Sequence, residues 1–357
     1  MRKDKNDNCS SILVTGNLGY IGTVLVPMLN SLKYSVTGYD SHFYDSSCQL
    51  YEPEQKPNKQ ILKDIRDIEK DDLKGIDGII HLASLSNDPL GEFNPNITYE
   101  INYSATVRLA EIAEDCCVKR FVYASSQSMY GVANIDKELD EDESEKNPVT
   151  AYAKTKWMAE CELKKMGTED FVISFFRPST VFGVSPKLRC DIVFNNFVGC
   201  AYTTGKIEIK SDGTPWRPVI HINDVSNAFI SGLTAPKELI MNEAFNIGLE
   251  NGNFTVRQLA EAAQKVVHGS SIIFTGVHGK DSRTYRVSFN RILSILKDYF
   301  KPEWNLINGG KQLVELFDKI GFTEDNFRSI MCNRLLCLKK LIESKVLNDD
   351  LRWIIKK

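Results

Sequence analysis

One run, ILVTGNLGYIG from Ile12 to Gly22, constrains this chain more than any other. Ser11 to Thr15 reads as a strand and Tyr20 to Leu32 as a helix, with Gly16, Gly19 and Gly22 between them in the spacing GxxGxxG. The first glycine permits a tight turn, and the second lets backbone approach a pyrophosphate. The third allows close helix–sheet packing. The helix N-terminus that follows offers N–H donors and a favourable dipole to phosphate. A glycine-rich turn without a ligand is the competing reading. The position after the first strand makes nucleotide binding the better one.

The rest of the first half repeats this strand–helix alternation. Ser35 to Tyr39, Gln60 to Leu62, Gly78 to His81 and Arg120 to Ala124 read as strands, with a long helical stretch from Asn96 to Asp115. Their apolar residues run together, as in a parallel sheet covered on both faces. A helix over Tyr152 to Met166 and a strand over Phe171 to Arg177 follow. The pattern predicts an α/β fold, a Rossmann-type doubly wound parallel sheet with a smaller C-terminal α/β substrate lobe. Residues 11–178 form the expected dinucleotide-binding domain. Residues 179–321 form mainly the lobe, with some segments returning to the first domain, and 322–357 form a helical extension. Helices are expected in the lobe at Asp191 to Thr204, Asn223 to Thr234, Val256 to Val267 and Lys311 to Ile320. In the extension, Ile330, Leu335, Leu338, Leu341 and Ile342 recur at helical spacing, which predicts packing onto the body.

Composition removes several classes of function. Lys and Arg number 44 against 47 Asp and Glu, a net charge of −3 that argues against a nucleic-acid-wrapping chain. No apolar run approaches the length of a membrane span, and the polar start lacks a signal-peptide core. A cytoplasmic protein with no membrane partner is expected. The nine cysteines include the adjacent Cys116 and Cys117 and no CxxC pair, and the five histidines are scattered. Reduced thiols and no metal site are expected.

Three further features carry chemistry. Asp40 closes the second strand, where an acid accepts the ribose hydroxyls of NAD and repels a 2′-phosphate. Ser41, His42 and Phe43 follow it with no arginine or lysine, which favours NAD over NADP. Asp64, after the third strand, is placed to meet an adenine amino group or to cap the next helix. Tyr152 and Lys156, four residues apart, share a helix face. A lysine cation beside a phenol lowers its pKa from about 10 toward working pH, which makes Tyr152 a candidate acid/base. The serine cluster of Tyr123 to Gly131 lies where the strand from Arg120 leaves the sheet, the end at which ligands bind.

In these stretches the chain resembles the extended short-chain dehydrogenase/reductases, specifically the nucleotide-sugar epimerase/dehydratase family. The matching segments are TGNLGYIG (Thr15 to Gly22), KDIRD (Lys63 to Asp67), HLAS (His81 to Ser84), SSQSMYG (Ser125 to Gly131) and YAKTK (Tyr152 to Lys156). RPSTVFG (Arg177 to Gly183), DGTPWRPVIHINDV (Asp212 to Val225) and FNIG (Phe245 to Gly248) continue the series. The resemblance implies that Tyr152 is the acid/base, that Lys156 holds the nicotinamide ribose and tunes Tyr152, and that Ser126 fills the catalytic serine slot. Implied NAD contacts are Gly16, Gly19, Tyr20, Ile21, Gly22, Asp40, Asp64, Ile65, Leu82, Ala83, Ser84, Asn102, Ala124, Tyr152, Lys156 and Pro178. Implied contacts to a nucleotide-sugar substrate are Ser86, Asn87, Ser126, Gln127, Ser128, Thr180, Arg189, Arg217 and Arg283.

Two departures bear on the reaction. Thr180 stands where many relatives carry asparagine, which alters the contacts to the sugar phosphate. Gln127 and Ser128 stand where 4,6-dehydratases place acidic residues, and neither can protonate a leaving hydroxyl or take the C5 proton. An epimerase acting through oxidation at C4 is therefore expected, ahead of a C4 dehydrogenase or reductase, a 4,6-dehydratase, or a non-catalytic NAD sensor. A homodimer built on the helices from Asn96 and Tyr152 is also implied. The tail beyond Gly321 exceeds the family's common end.

Overall fold

The apolar runs become parallel strands because both of their faces are covered. β1 (Ser11–Thr15), β4 (Gly78–His81) and β5 (Arg120–Ala124) are buried along almost their whole length. With β2 (Ser35–Asp40), β3 (Lys59–Leu62), β6 (Val172–Pro178) and β10 (Ala244–Ile247) they form a seven-stranded sheet in the order β10-β6-β5-β4-β1-β2-β3. All of its pairings are parallel. Thr15 at the end of β1 pairs with Tyr39 on one side and His81 on the other. The winding reverses there, so the carboxyl ends open a crevice at that point. This computed structural model describes residues 9–132, 136–275 and 284–354.

Alternate strand residues feed two cores. Ile12, Val14, Ile80 and Val122 pack with Leu25 and Leu29 of α1 (Gly22–Ser31) and Phe229 of α7 (Ile222–Thr234). Leu13, Ile79, Phe121 and Tyr123 pack with Leu109 of α4 (Ala105–Asp115) and Leu163 of α5 (Ala151–Met166). Between β4 and α4 lie α2 (Asp88–Gly91) and α3 (Pro95–Tyr99). The stretch expected as one helix contains a single wide turn of π type at Glu100–Ser104.

The lobe is built on small sheets. β7 (Thr180–Phe182), β9 (Trp216–His221) and β11 (Asn253–Thr255) form one, and β8 (Lys206–Ile209) with β12 (Ser271–Phe274) forms another. They pack with α6 (Val193–Thr204), α9 (Val256–Val266) and α11 (Leu306–Ile320), and α8 (Lys237–Ile240) and α10 (Asn290–Ile295) complete the set. Lobe residues such as Phe194, Leu259 and Phe317 join the first core, so lobe and sheet share it. α11 starts five residues earlier than its pattern suggested, with Gly309 and Gly310 inside it. An added Cβ at Gly309 would lie 2.6 Å from the Phe182 ring, so a low helix propensity is accepted for close packing. Among the described residues no helix is long and apolar enough to cross a membrane.

The tail forms α12 (Glu324–Arg328) and α13 (Arg334–Glu343), then doubles back through 344–354. α12 packs on α6 of the lobe, whereas α13 and the segment after it lie against the nucleotide half of the molecule. Leu338, Leu347 and Leu351 are buried in the second core.

Candidate active site

The cleft at the switch point has a volume of about 540 Å³ and runs from Asp40 past the glycine loop to Tyr152 and Arg217. Gly16 adopts φ 71°, and an added Cβ there would lie 2.8 Å from Ala83 N. An added Cβ at Gly22 would lie 2.5 Å from Gly16 O, so the third glycine is demanded by the loop's own backbone rather than by the sheet behind it. α1 begins at Gly22 and not at Tyr20. The Tyr20 hydroxyl donates to Gly183 O at 2.7 Å and accepts from Asn195 at 3.0 Å, pinning the loop to the lobe. Tyr20 and Ile21 line the cleft beside the three glycines.

Asp40 sits at the far end. Its carboxylate accepts from Leu18 N–H at 3.1 Å and His42 N–H at 2.7 Å, while burial pushes its pKa up. Asp64 lines the cleft with Ile65, but it also accepts from Arg66 N–H at 2.9 Å and holds the Arg66 guanidinium through both oxygens. Of its two expected uses, the cap is therefore occupied. His81 is bonded to Thr15 at 2.7 Å and Thr106 at 2.8 Å, and burial pulls it down to about 3. This neutral ring ties β1 to α4 and sets the course of Leu82, Ala83 and Ser84, all in the wall.

Tyr152 and Lys156 reach the cleft from the first turns of α5, where Thr150 caps Ala153 N–H at 3.2 Å. Ser126 caps a short turn over Gln127–Tyr130 by accepting from Ser128 N–H at 3.1 Å. The Ser126 hydroxyl stands beside the Tyr152 phenol and acts to lower its pKa. The Lys156 ammonium donates to Ala124 O at 2.7 Å and stands 4.9 Å from the Tyr123 ring centre. Here the electrostatics differ from the expectation. Burial raises the Tyr152 pKa, and Ser126 offsets this only in part. Burial also pulls Lys156 down to about 7.

Behind the cluster lies a charged network that the sequence reading did not single out. Ser125 donates to Glu160 at 2.6 Å, Arg177 pairs with Glu160, and Arg177 donates to Tyr130 at 3.0 Å. Glu160 follows Lys156 by one helical turn, which was the available signal. Its effect is to anchor the end of β5 on which Ser126 sits.

On the substrate side, Ser128, Thr180, Arg217 and Pro178 line the cleft with Ala124. Arg189 forms a two-point pair with Asp191, at 2.9 Å for each bond, and reaches Ser86 at 3.1 Å. Asn87 donates to the same Asp191 at 3.0 Å. Ser86, Asn87 and Arg189 are thus one knot in the wall. Two expected ligand contacts do not line it. Gln127 is buried with its amide donating to Arg177 O and Ile247 O, and Asn102 is held by both backbone groups of Leu85. Both side chains are consumed by the scaffold, and Asn102 positions the 82–86 turn. Arg283 lies outside the described residues. Tyr44, Tyr285, Asn333, Arg334 and Leu335 line the cleft without having been foreseen.

These residues fit a dinucleotide. A close-packed glycine cradle and a helix N-terminus line the cleft, and a half-buried carboxylate stands at one end. Comparison with known proteins agrees. Residues 12–248 match the NAD-dependent epimerase/dehydratase family. The dTDP-D-glucose 4,6-dehydratase of Mus musculus is 29% identical over 262 residues, covering 70% of this chain and 71% of that protein. The UDP-glucuronate 4-epimerase of Thermodesulfobacterium geofontis is 25% identical over 334 residues, covering 89% and 94%. Among solved structures, MoeE5 in complex with UDP-glucose and NAD is 25% identical with a TM-score of 0.73, covering 87% of this chain and 99% of its own.

Proposed function

Because this chain belongs to the NAD-dependent epimerase/dehydratase family, we propose that it inverts C4 of a nucleotide-activated sugar through transient oxidation. The observation that carries this reading is that Tyr152, Ser126 and Lys156 line the same cleft as the glycine loop and Asp40. When bound, NAD supplies the acceptor and then the donor of the C4 hydride, and its pyridinium charge favours the phenolate. Tyr152 Oη takes the proton of the C4 hydroxyl and returns it after inversion. Ser126 Oγ orients that hydroxyl. Lys156, fixed by Ala124 O, is the residue assigned to the nicotinamide ribose. Arg217 and Thr180 are assigned to the nucleotide diphosphate.

Dehydration is disfavoured, although it is the activity named for the mouse relative. Gln127 is committed to backbone carbonyls and Ser128 is a hydroxyl, so neither position offers the acid or base that loss of the C6 hydroxyl needs. We further propose a homodimer through the outer faces of α4 and α5, where Met158 is exposed, and a reducing, cytoplasmic setting for the free thiols. Sedimentation showing only monomer would exclude the dimer.

The test of function has two parts. Mass analysis of nucleotide released on denaturation is expected to find retained NAD. Incubation with UDP- and dTDP-sugars, without added NAD, is expected to yield the C4-inverted sugar by NMR. Accumulation of a keto sugar with stoichiometric NADH would overturn the epimerase reading in favour of a net oxidoreductase.

A further inference from the structure

The tail contributes a wall of the cleft. α13 starts at the cleft, with Asn333 accepting from Leu336 N–H at 3.1 Å as its cap and Arg334 as its first residue. Arg334 is 2% exposed, which is unusual for an arginine. One arm of its guanidinium, Nη2, donates to Lys187 O. The plane stands over Tyr44 at 4.8 Å. The other arm, Nη1, is buried without a hydrogen-bond partner. A buried cationic donor left unpaired is costly, so such an arm implies a missing acceptor.

The neighbouring charges define that acceptor. Lys187 spends its ammonium on Tyr44 O and Asp45 O, each at 2.6 Å, and Arg189 is already neutralised by Asp191. Lys187 is pulled down to about 8, first by burial and then by the Arg334 cation beside it. Asp191 feels the Arg334 charge but spends both oxygens on Arg189, and Asp40 is engaged by the Leu18 and His42 amides. A guanidinium arm without an acceptor thus stands in the wall of the cleft.

We propose that Arg334 binds the diphosphate of the dinucleotide, carried to it by the C-terminal tail. The proposal rests on the reading of the cleft as an NAD site. A second anchor set holds the tail in place. Arg66 donates to Asp350 O and Leu351 O at 2.9 and 3.3 Å, Trp353 Nε1 donates to Ser41 O at 2.7 Å, and the Cys48 and Cys337 sulfurs lie 2.9 Å apart. Each anchor joins the tail to the segment after β2 or β3, which forms the adenosine end of the cleft. The tail is therefore a clasp on bound cofactor, and Arg334 is its chemical contact.

The test compares NAD with adenosine, which lacks the phosphates, and with UDP, by calorimetry on protein stripped of nucleotide. Arg334→Met is expected to weaken NAD by about 10- to 100-fold while leaving adenosine unchanged. Arg334→Lys is expected to fall between, because the charge stays and the two-armed fork is lost. Its NAD-to-adenosine ratio carries the test if the methionine variant does not fold. Equal losses for both ligands would make Arg334 a scaffold residue and overturn the proposal. So would an unchanged NAD affinity, or a loss confined to UDP, which would assign the cation to the substrate's diphosphate. A wild-type chain that binds no NAD would overturn the reading of the cleft itself, whereas wild-type binding with an unchanged ratio overturns only this inference.

Discussion

The glycine loop and the C-terminal tail face each other across one cleft, yet they are specified in different ways. In the loop, Gly16 and Gly22 are required by contacts within a few residues or with the adjoining strand end, so their spacing in sequence records the constraint. The tail is held by partners far away in sequence: Trp353 on Ser41, Arg352 on Asp67, Arg334 on Lys187. Leu351 adopts φ 54° while fully buried, a left-handed conformation that a leucine keeps only when its surroundings enforce it. Local constraints leave motifs, and tertiary ones leave only an amphipathic pattern.

If the loop side carries chemistry and the tail carries retention, variants should separate them. The largest effect is expected at Tyr152. Tyr152→Phe should reduce turnover by about 10²–10⁴-fold with NAD still bound, because a positioned acid/base contributes about that much. Lys156→Ala should weaken both turnover and NAD. Single-turnover reduction of bound NAD, followed at the nicotinamide band, checks this. A phenylalanine variant that reduces NAD as fast as wild type would remove Tyr152 from the mechanism.

The tail can be weighed against the core next. Leu25 of α1 and Leu351 of the tail are both fully buried. If the tail is as integral as the sheet, alanine at either position should cost about 2–5 kcal/mol in chemical denaturation. A Leu351→Ala variant as stable as wild type would make the tail an appendage. That result would break the comparison.

What was legible divides along the same line. The order of alternating strands and helices, the Asp40 strand end and the Tyr152–Lys156 spacing were readable because each is a short-range pattern. Gln127 and Asn102 were expected as ligand contacts, and the structure instead sets their amides on backbone groups, because sequence shows an amide's presence and not the carbonyls it serves. Arg334 was invisible for the converse reason: nothing within α13 signals that its first residue enters a cleft built mostly by residues far earlier in the chain, from Gly16 to Arg217.

Asp40 sharpens the loop side further. NAD should bind more tightly than NADP, and Asp40→Ala should narrow the preference by about 1.5–3 kcal/mol, the worth of a charged hydrogen bond. Titration of both cofactors checks this. Equal affinities in the wild type would show that another group reads the ribose.

The smallest expected effect isolates the electrostatics that spacing could not reveal. Lys156 is held at about 7 by burial, against 10.5 for an exposed lysine. Between those values the unfolded chain binds a proton that the folded one does not, so this group makes stability rise with pH. Below pH 7 both states are protonated and the full penalty of the buried charge is present. Lys156→Met keeps the apolar stem and removes the charge, together with the bond to Ala124 O. In protein stripped of nucleotide it should therefore be more stable than wild type near pH 6, by about 1–2 kcal/mol after the lost bond is subtracted. The advantage should fade as pH rises toward 10, where wild-type Lys156 is neutral when folded and increasingly neutral when unfolded. Melting curves across that range check it. A difference that stays flat with pH would mean that Lys156 keeps its charge through a partner in the cleft, and the loop side would then be as dependent on distant contacts as the tail.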